Sequence, residues 1–462
     1  MVGLTDYSCY IPRGRLARST IAAAWGAAPR PGWKAVRGFD EDSLTLGQAA
    51  AWPLIQRNGP AGALYFASTS SPYWQRSAAS LIAAACDLPP DVATADLGGS
   101  LRSAATALRA AFDAVAAGAR RHALVVAAES RDPAPESEQE MAFGDAAAAV
   151  AVGAEEVIAE LAGWAARSDD FLDEWRREAD PHVHSLASKF SLRGGYQANV
   201  VAVGRKLLEQ AALEPAGIAI AALASPDGEA HRAAARALGI PPERLQDPRM
   251  NDAGVTGAAM PLLLLAQALD RARAGDWILA IGYGDGAEGF LLRATDRLER
   301  MERPRLAPEA LAIEVPTYPL YRKLRESLRQ RGGGTELSNV LWQREEAENI
   351  RLRGTLCPRC GRVQFPRTRV CAGCRNSQGL AEKPLGRRGR VFTFTRDFLY
   401  DAPASPNIMA VVDLEGGGRF LCQMTDADPE RVEIGMEVEL VLRRLRESAS
   451  MHHYYWKCRP RS

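Results

Sequence analysis

Four cysteines in the C-terminal part of the chain have the spacing of a metal site. Cys357, Cys360, Cys371 and Cys374 form two Cys-x-x-Cys knuckles that are separated by ten residues. Two such knuckles can close a tetrahedral site of four thiolates, which is the coordination that structural zinc takes. Because protein sulfur fills all four positions, none is left for water or substrate. The spacing therefore predicts one structural zinc ion.

A second stretch, from Asp91 to Ala117, places a carboxylate near the start of a long helix. A short strand-like segment contains Asp96 and leads through Gly98 and Gly99 into a helix with apolar residues at helical spacing. The two glycines allow another backbone to approach closely. The first turn of a helix has unpaired N–H groups that favour an anion. Asp96 is therefore a candidate general base or acid, or simply the cap of this helix.

The same stretch resembles the nucleophile turn of the 3-hydroxy-3-methylglutaryl-CoA synthase branch of the thiolase superfamily. In that family a cysteine two residues before Gly-Gly accepts the acyl group, and the alignment on Gly98-Gly99 puts Asp96 at its position. Thr69 stands where the family has its catalytic glutamate, and Ala224 stands where it has its histidine. The resemblance therefore implies the family's framework without its three catalytic side chains.

Asn251 and Cys86 are the other candidates for the site. The resemblance gives Asn251 the role of holding the thioester carbonyl oxygen. In the alternative interpretation, Asn251 has no part in catalysis and caps the helix that follows Gly254. Cys86 ends the apolar run that begins at Leu81. Buried thiols are unreactive, so Cys86 is predicted to have a packing role and not that of a displaced nucleophile.

Three functions are compatible with these residues. The resemblance favours an acyl-CoA-dependent enzyme that forms or cleaves a carbon–carbon bond by aldol or retro-aldol chemistry. In it Asp96 transfers the proton, Asn251 holds the enolate oxygen and a coenzyme A thioester is the substrate. The second is a non-catalytic scaffold partner of a thiolase-type enzyme. The third is an acyltransferase or a hydroxymethylglutaryl-CoA synthase-type condensing enzyme.

Strands and helices alternate over the first two-thirds of the chain, which predicts an α/β fold with mostly parallel pairing. The second half repeats the order of the first, and the resemblance implies a duplicated thiolase-like αβαβα fold over residues 1–330. Ser168–Arg177 resembles the variable insert of the same synthases, and an exposed acidic-aromatic helix is its alternative interpretation. The predicted strands of these halves include Ala63–Ala67, Ala123–Ala128, Phe143–Val152, Gly217–Leu223 and Trp277–Tyr283.

Residues 331–354 are predicted to form a linker helix, residues 355–380 the zinc ribbon and residues 381–462 a small all-β barrel. Ribbon and barrel together resemble the acyl-CoA-associated zinc-ribbon/OB-fold family. The aromatic-basic stretch that begins at Tyr454 is too small a cluster to predict stacking on nucleic-acid bases. The predicted barrel strands are Gly389–Thr395, Ile408–Asp413, Arg419–Met424 and Val438–Arg443.

Composition is that of an ordinary globular protein. The chain has 462 residues, 47% hydrophobic content and a net charge of +1, so no global field favours nucleic acid or an acidic membrane surface. Its apolar runs are far shorter than the ~20 residues of a spanning helix, and the N-terminus does not resemble a signal peptide. We expect a cytoplasmic protein that binds neither nucleic acid nor membrane. The resemblance implies a homodimer, with a thiolase-like partner as a further possibility.

Overall fold

The structure is a computed structural model that describes residues 2–178, 180–186, 188–304, 312–326, 338–399, 406–448 and 451–461. Residues 331–337 of the predicted linker helix lie outside the described residues. The chain divides into two units. Unit 1 comprises Met1–Arg37, Asp42–Ala83 and Pro89–Tyr318, and unit 2 comprises Gly38–Glu41, Ala84–Leu88 and Pro319–Ser462.

The first third of the chain contains the following elements: β1 (Gly3–Tyr10), β2 (Gly14–Ala17), α1 (Arg18–Ala24), β3 (Trp33–Val36), α2 (Ser43–Asn58), β4 (Ala63–Ala67), α3 (Ala78–Ala85), β5 (Ala93–Leu97), α4 (Ser103–Ala116), β6 (His122–Glu129), α5 (Glu138–Ala142) and β7 (Ala146–Gly153).

The next part contains β8 (Ala159–Ser168), β9 (Glu174–Trp175), β10 (His184–Ser185), α6 (Ser188–Phe190), α7 (Ala198–Gln210), β11 (Ile218–Leu223), α8 (Gly228–Leu238), α9 (Met260–Arg271), β12 (Trp277–Tyr283), β13 (Gly286–Ala294), α10 (Asp296–Arg300), β14 (Ile313–Glu314) and α11 (Tyr318–Glu326).

The last part contains α12 (Asn339–Arg344), α13 (Glu346–Asn349), β15 (Arg353–Leu356), β16 (Val363–Gln364), β17 (Ala381–Pro384), β18 (Arg388–Asp397), β19 (Asn407–Leu414), β20 (Arg419–Met424), β21 (Glu437–Ser448) and β22 (Met451–Pro460).

One nine-stranded sheet runs through unit 1 in the order β11-β12-β13-β8-β1-β7-β6-β4-β5. The pairs β4–β5, β4–β6 and β11–β12 are parallel, whereas the other neighbours are antiparallel. The expectation of mostly parallel pairing is therefore wrong. Between β12 and β13 the reason is local: only Gly284 and Asp285 connect the strands, and so short a turn returns the chain antiparallel.

The helices α4 and α9 form the central layer of unit 1. Helix α4 contacts β4 and β6 of the first half and also β12 and β13 of the second, while α9 contacts β1 and β7 as well as β11 and β12. Leu108 and Phe112 of α4 share one buried core with Leu262 and Leu265 of α9. Helices α7 and α8 pack in a second core with β11 to β13, and α2 contacts β1, β6 and β7. The predicted duplicated α/β fold is confirmed.

Unit 2 contains a small three-stranded sheet in the order β16-β15-β17 and a closed barrel in the order β18-β19-β20-β22-β21. All four predicted barrel strands are present: Arg419–Met424 has the same ends as β20, and the other three differ at their ends by up to five residues. The fifth strand, β22, contains the C-terminal aromatic cluster. Tyr454 and Trp456 in it are buried, so these rings do not form an exposed surface for bases.

A cluster of buried charges also lies within unit 2, among residues that are far apart in sequence. Lys457 Nζ is 2.7 Å from Asp40 Oδ2, and Arg443 Nη2 is 2.9 Å from Glu41 Oε1 and 2.8 Å from Asp426 Oδ2. Asp40, Glu41 and Arg443 are almost completely buried. Buried charges of this kind need their partners, because removing one leaves the other unpaired in a poorly solvated place.

Among the described residues, no helix is both long enough and apolar enough to cross a membrane.

Candidate active site

A cavity of about 420 Å³ opens in unit 1. Five segments form its wall: the loop after β4, the turn before α4, the loop after β6, the insert after β8, and the turn between β12 and β13. Its size is within the range of small-molecule sites. The lining residues are Ser68, Thr69, Ser71, Tyr73, Trp74, Gly98, Gly99, Ser100, Leu101, Arg131, Asp173, Glu174, Trp175, Arg176, Val183, Gly284 and Asp285.

The glycines before α4 bring three of these segments together. A Cβ on Gly98 would lie 3.1 Å from the carbonyl oxygen of Ser68, so the predicted close approach is confirmed. Gly99 has a φ of 79°, which favours glycine. On the other side, a Cβ on Gly284 would lie 2.8 Å from the backbone nitrogen of Leu101 and 2.9 Å from Ser100 Oγ. The β12–β13 turn therefore packs directly on the turn that precedes α4.

The backbone N–H groups of Ser100 and Leu101 can stabilise negative charge. Both residues line the cavity and come before Ser103, the first residue of α4, so the hydrogen bonds of the helix do not use their N–H groups. Within the described chain, no group accepts a hydrogen bond from either N–H. Such donors are suited to an enolate or oxyanion that develops during a reaction.

Three carboxylates line the cavity, and they differ in their partners. Asp173 Oδ2 accepts a 2.5 Å hydrogen bond from the Tyr283 hydroxyl, and Glu174 pairs with Arg131 at 2.5 Å. Burial and the hydrogen bond to Asp173 raise the pKa of Tyr283 well above its usual value, so the phenol remains a donor. Asp285 is exposed and lines the cavity, and no described residue makes a hydrogen bond or an ion pair with its carboxylate. Asp285 is therefore the lining carboxylate that is available for proton transfer.

The insert after β8 does not form the acidic-aromatic helix that was its alternative interpretation. Its strand β9 pairs antiparallel with β10, and the Trp175 ring stacks on His184 with centroids 5.7 Å apart. Asp173 and Arg176 extend the same wall. The insert contributes to the cavity because Asp173 binds Tyr283 at the end of β12, a contact across 110 residues of sequence.

Beneath the wall, Thr69 contacts a fully buried carboxylate at the end of β6. Glu129 is 0% exposed. Its Oε2 accepts a 2.9 Å hydrogen bond from the Thr69 hydroxyl and a 3.0 Å bond from the N–H of Ala258. The Ser70 hydroxyl donates to its other oxygen. A carboxylate therefore lies within hydrogen-bond distance of Thr69, the residue that the resemblance aligns with the family's catalytic glutamate.

Asp96 lies outside the cavity lining. It is an exposed residue of β5, and its Oδ1 accepts a 2.9 Å hydrogen bond from the N–H of Ala79 in α3. The N-cap of α4 is Arg102, which makes no side-chain cap bond. The interpretation of Asp96 as the cap of the central helix is therefore wrong, because its carboxylate caps α3 instead. Its role as a general base stays a prediction.

Asn251 also lies outside the lining. Its carbonyl oxygen accepts a 2.7 Å hydrogen bond from the N–H of Trp33, and its Oδ1 accepts a 3.2 Å bond from Arg18. Helix α9 begins at Met260 with Ala259 as its N-cap, so Asn251 does not cap it. The role of Asn251 at a thioester oxygen stays a prediction. Ala224 and Cys86 are buried, and neither is among the lining residues.

The four knuckle cysteines come together in unit 2. The sulfurs of Cys357, Cys360, Cys371 and Cys374 lie within 4.8 Å of one another. Cys357 and Cys374 are 3.6 Å apart, as are Cys360 and Cys371. Four thiolates at about 2.3 Å from one zinc ion are about 3.8 Å apart. N–H groups of Cys374 and Gly373 lower the pKa of Cys371, which favours the thiolate that zinc binds. The sulfurs fit structural zinc.

A known protein matches most of this chain. Hydroxymethylglutaryl-CoA synthase of Methanopyrus kandleri is 31% identical over 344 residues, which cover 71% of this chain and 98% of that protein. The chain belongs to the hydroxymethylglutaryl-CoA synthase family. This is a family of condensing enzymes, and the synthase of Pyrococcus horikoshii is a further relative, at 30% identity over 338 residues.

Solved structures show that this synthase-family chain has the same fold as its relatives. "MvaS in complex with 3-hydroxy-3-methylglutaryl coenzyme A" has a TM-score of 0.64 at 20% identity and covers 73% of this chain and 94% of its own. "HMG_CoA synthase complexed with CoA" has a TM-score of 0.63 at 18% identity and covers 70% of this chain and 89% of its own.

The C-terminal part of this synthase-family chain matches two further families. Residues 344–379 match "ChsH2, rubredoxin-like zinc ribbon domain", and residues 382–443 match "ChsH2, C-terminal OB-fold domain". The predicted ribbon and OB barrel are therefore confirmed.

The sequence-based prediction missed two carboxylates of this synthase-family site, Glu129 and Asp285. Glu129 follows the buried run Ala123–Ala128 directly, and a charged residue at the carboxyl end of a parallel strand is a usable signal. Asp285 lies in the glycine-rich turn after β12. Its position beside α4 depends on the packing of the two halves, which no local pattern gives.

Proposed function

We propose that this chain forms or cleaves a carbon–carbon bond next to an acyl-CoA thioester by aldol or retro-aldol chemistry, without holding the acyl group covalently. One observation carries the proposal: among the described residues that line the cavity there is no cysteine, whereas carboxylates, hydroxyls and unpaired N–H groups are present. The family's framework supports an acyl-CoA substrate. Two structural relatives are complexes with coenzyme A or its thioester.

In the bond-forming direction a carboxylate takes a proton from the carbon next to the thioester carbonyl. The C–H electron pair moves to the carbonyl oxygen, which becomes an enolate that the N–H groups of Ser100 and Leu101 stabilise. The enolate carbon then attacks the second carbonyl, and the resulting alkoxide takes a proton. Asp285 is the base that the cavity geometry favours, and Asp96 is the one that the alignment favours.

Intact-protein mass spectrometry and deuterium exchange test the proposal together. The chain is incubated with acetyl-CoA or propionyl-CoA in D₂O for the exchange measurement and in H₂O for mass spectrometry. We expect exchange of the α-protons at a rate well above that of buffer, and no acyl mass added to the protein. A stable acyl adduct on any residue contradicts the proposal and supports a synthase-type or acyltransferase mechanism, the third candidate.

The scaffold function is the second candidate, and the position of Asp96 favours it. Asp96, which the alignment places at the nucleophile position, accepts a hydrogen bond from the N–H of Ala79 and lies outside the cavity lining. A scaffold predicts no exchange of α-protons with any acyl-CoA, and increased activity of a thiolase-type enzyme when the two are mixed. A homodimer, a thiolase-like partner and a cytoplasmic location remain part of the proposal, as does the absence of nucleic acid and membrane from its partners.

A further inference from the structure

The buried carboxylate of Glu129 is surrounded by donors. The Thr69 hydroxyl and N–H lie 2.9 Å and 3.3 Å from Oε2, and the Ala258 N–H lies 3.0 Å from the same oxygen. The Ser70 hydroxyl donates to Oε1. A protonated acid has to donate one bond, so only the carboxylate form accepts all four.

The absence of a side chain at Gly257 leaves room for the Glu129 carboxylate. Gly257 has a φ of 50°, and a Cβ there would lie 2.6 Å from Glu129 Cγ. Any larger residue at position 257 would displace Glu129 and the N–H of Ala258 beside it. The backbone before α9 is therefore shaped around this carboxylate.

The arrangement fixes what Thr69 can offer to the cavity. A hydroxyl has one proton and two lone pairs, and the proton of Thr69 is donated to Glu129. Thr69 lines the cavity, so toward a bound substrate its hydroxyl oxygen can act only as an acceptor. The group that complements it is a substrate hydroxyl. A thioester carbonyl has only lone pairs to offer and does not match it.

We propose that Thr69 and Glu129 form a proton relay for the hydroxyl of a 3-hydroxyacyl-CoA substrate, an inference that rests on the proposed function. In the cleavage direction the substrate O–H proton passes to Thr69 Oγ1 while the Thr69 proton passes to Glu129. The C2–C3 electron pair becomes the enolate of the thioester, and C3–O becomes a carbonyl. In bond formation the same relay returns the proton to the alkoxide. Thr69 is the residue that contacts the substrate hydroxyl, and Glu129 accepts and returns the proton through Thr69.

A binding experiment tests the relay without the need for turnover. Calorimetry compares 3-hydroxybutyryl-CoA with butyryl-CoA, which lacks only the hydroxyl. We expect the wild-type chain to bind the hydroxy ester about 5- to 10-fold more tightly, as one good hydrogen bond gives. Thr69→Val should abolish this preference, and Thr69→Ser should keep it. Equal binding of both esters by the wild-type chain would overturn the relay, and binding of neither would overturn the proposed function as well.

Kinetics on 3-hydroxyacyl-CoA esters supply the second measurement. Thr69→Val and Glu129→Gln should each lower kcat for cleavage by about 10²- to 10⁴-fold with little change in KM, and Thr69→Ser should restore most of it. The exchange of α-protons in acetyl-CoA should persist, because that step does not use the relay. Full cleavage activity in Thr69→Val would overturn the relay and leave the proposed function intact. If the wild-type chain showed neither exchange of α-protons nor cleavage, the proposed function would be overturned instead.

Thr106→Val is the matched control. The Thr106 hydroxyl donates at 2.8 Å to Glu288, which is also a buried carboxylate, and neither residue lines the cavity. This variant removes the same kind of hydrogen bond and should leave binding preference and kcat unchanged. A loss of kcat as large as that of Thr69→Val would assign the effect to stability and overturn the relay.

Discussion

The carboxylate of Asp96 has a structural contact and a predicted chemical role, and two substitutions separate them. Asp96→Asn keeps an oxygen that can accept from the N–H of Ala79, whereas Asp96→Ala loses it. We expect Asp96→Ala to lower the free energy of unfolding by about 1 kcal/mol, as loss of a cap does, and Asp96→Asn to change it little. Chemical denaturation measures both.

Activity then decides between the two candidate bases. If the base is Asp285, Asp285→Asn should lower α-proton exchange by about 10²- to 10⁴-fold, and Asp96→Asn should keep it. The opposite result assigns the base to Asp96, as the alignment predicts. Normal exchange in both variants would contradict either assignment.

At the scale of single residues, the sequence predicts the candidate site less completely than it predicts the fold. The cysteine knuckles were recognisable because ligand spacing within a few residues defines a zinc site. Asp285 and Glu129 were not, because their surroundings come from distant segments: Ala258 donates to Glu129 across 129 residues of sequence. A pattern that is local in sequence cannot report a contact of that kind.

Among the elements, the turn before α4 depends on two glycines for different reasons. A Cβ on Gly99 meets no atom within 4 Å, so only its φ of 79° opposes a side chain. We expect Gly99→Ala to lower the free energy of unfolding by about 1 to 2 kcal/mol, the cost of a left-handed conformation for an L-residue. Gly163→Ala is the control, since Gly163 lies in β8 and a Cβ there would lie 3.9 Å from its nearest neighbour, Cδ2 of Leu207. Equal losses in both variants would contradict this account.

The zinc ribbon should depend on its metal. Zinc bound by four cysteines contributes directly to folding. We expect one zinc ion per chain by elemental analysis, and partial unfolding of unit 2 after removal of the metal with a strong chelator. Cys357→Ser with Cys371→Ser should have the same effect, whereas Cys422→Ser outside the knuckles should retain zinc. A chain without zinc that keeps its full thermal stability would contradict the prediction.

Strands were predicted well because continuous apolar runs bounded by turn residues define them. The predicted strands Ala63–Ala67, Trp277–Tyr283 and Arg419–Met424 have the same ends as β4, β12 and β20. The insert after β8 was less predictable, because its short strands are held by contacts such as that of Asp173 with Tyr283. Helix α4 also begins later than the pattern suggests, since residues Gly98 to Leu101 form part of the cavity wall before it.

For the whole molecule, the predicted homodimer remains to be measured. In the described part of the chain, β5 is the last strand at one end of the nine-stranded sheet. Edge strands expose unpaired N–H and C=O groups that pair readily with a second chain. We expect light scattering to give twice the chain mass at micromolar concentration. A stable monomer under those conditions would contradict the prediction.

The buried charges of unit 2 impose an order of events while the chain is being made. Asp40 and Lys457 are 417 residues apart, and at about 5–20 residues per second the ribosome needs roughly 20 to 80 s to pass from one to the other. During that interval the carboxylates of Asp40 and Glu41 lack their cationic partners from the barrel, so they are expected to remain exposed to water. Unit 2 therefore reaches its final state only after Lys457 has been synthesised, although Asp40 is made 417 residues earlier.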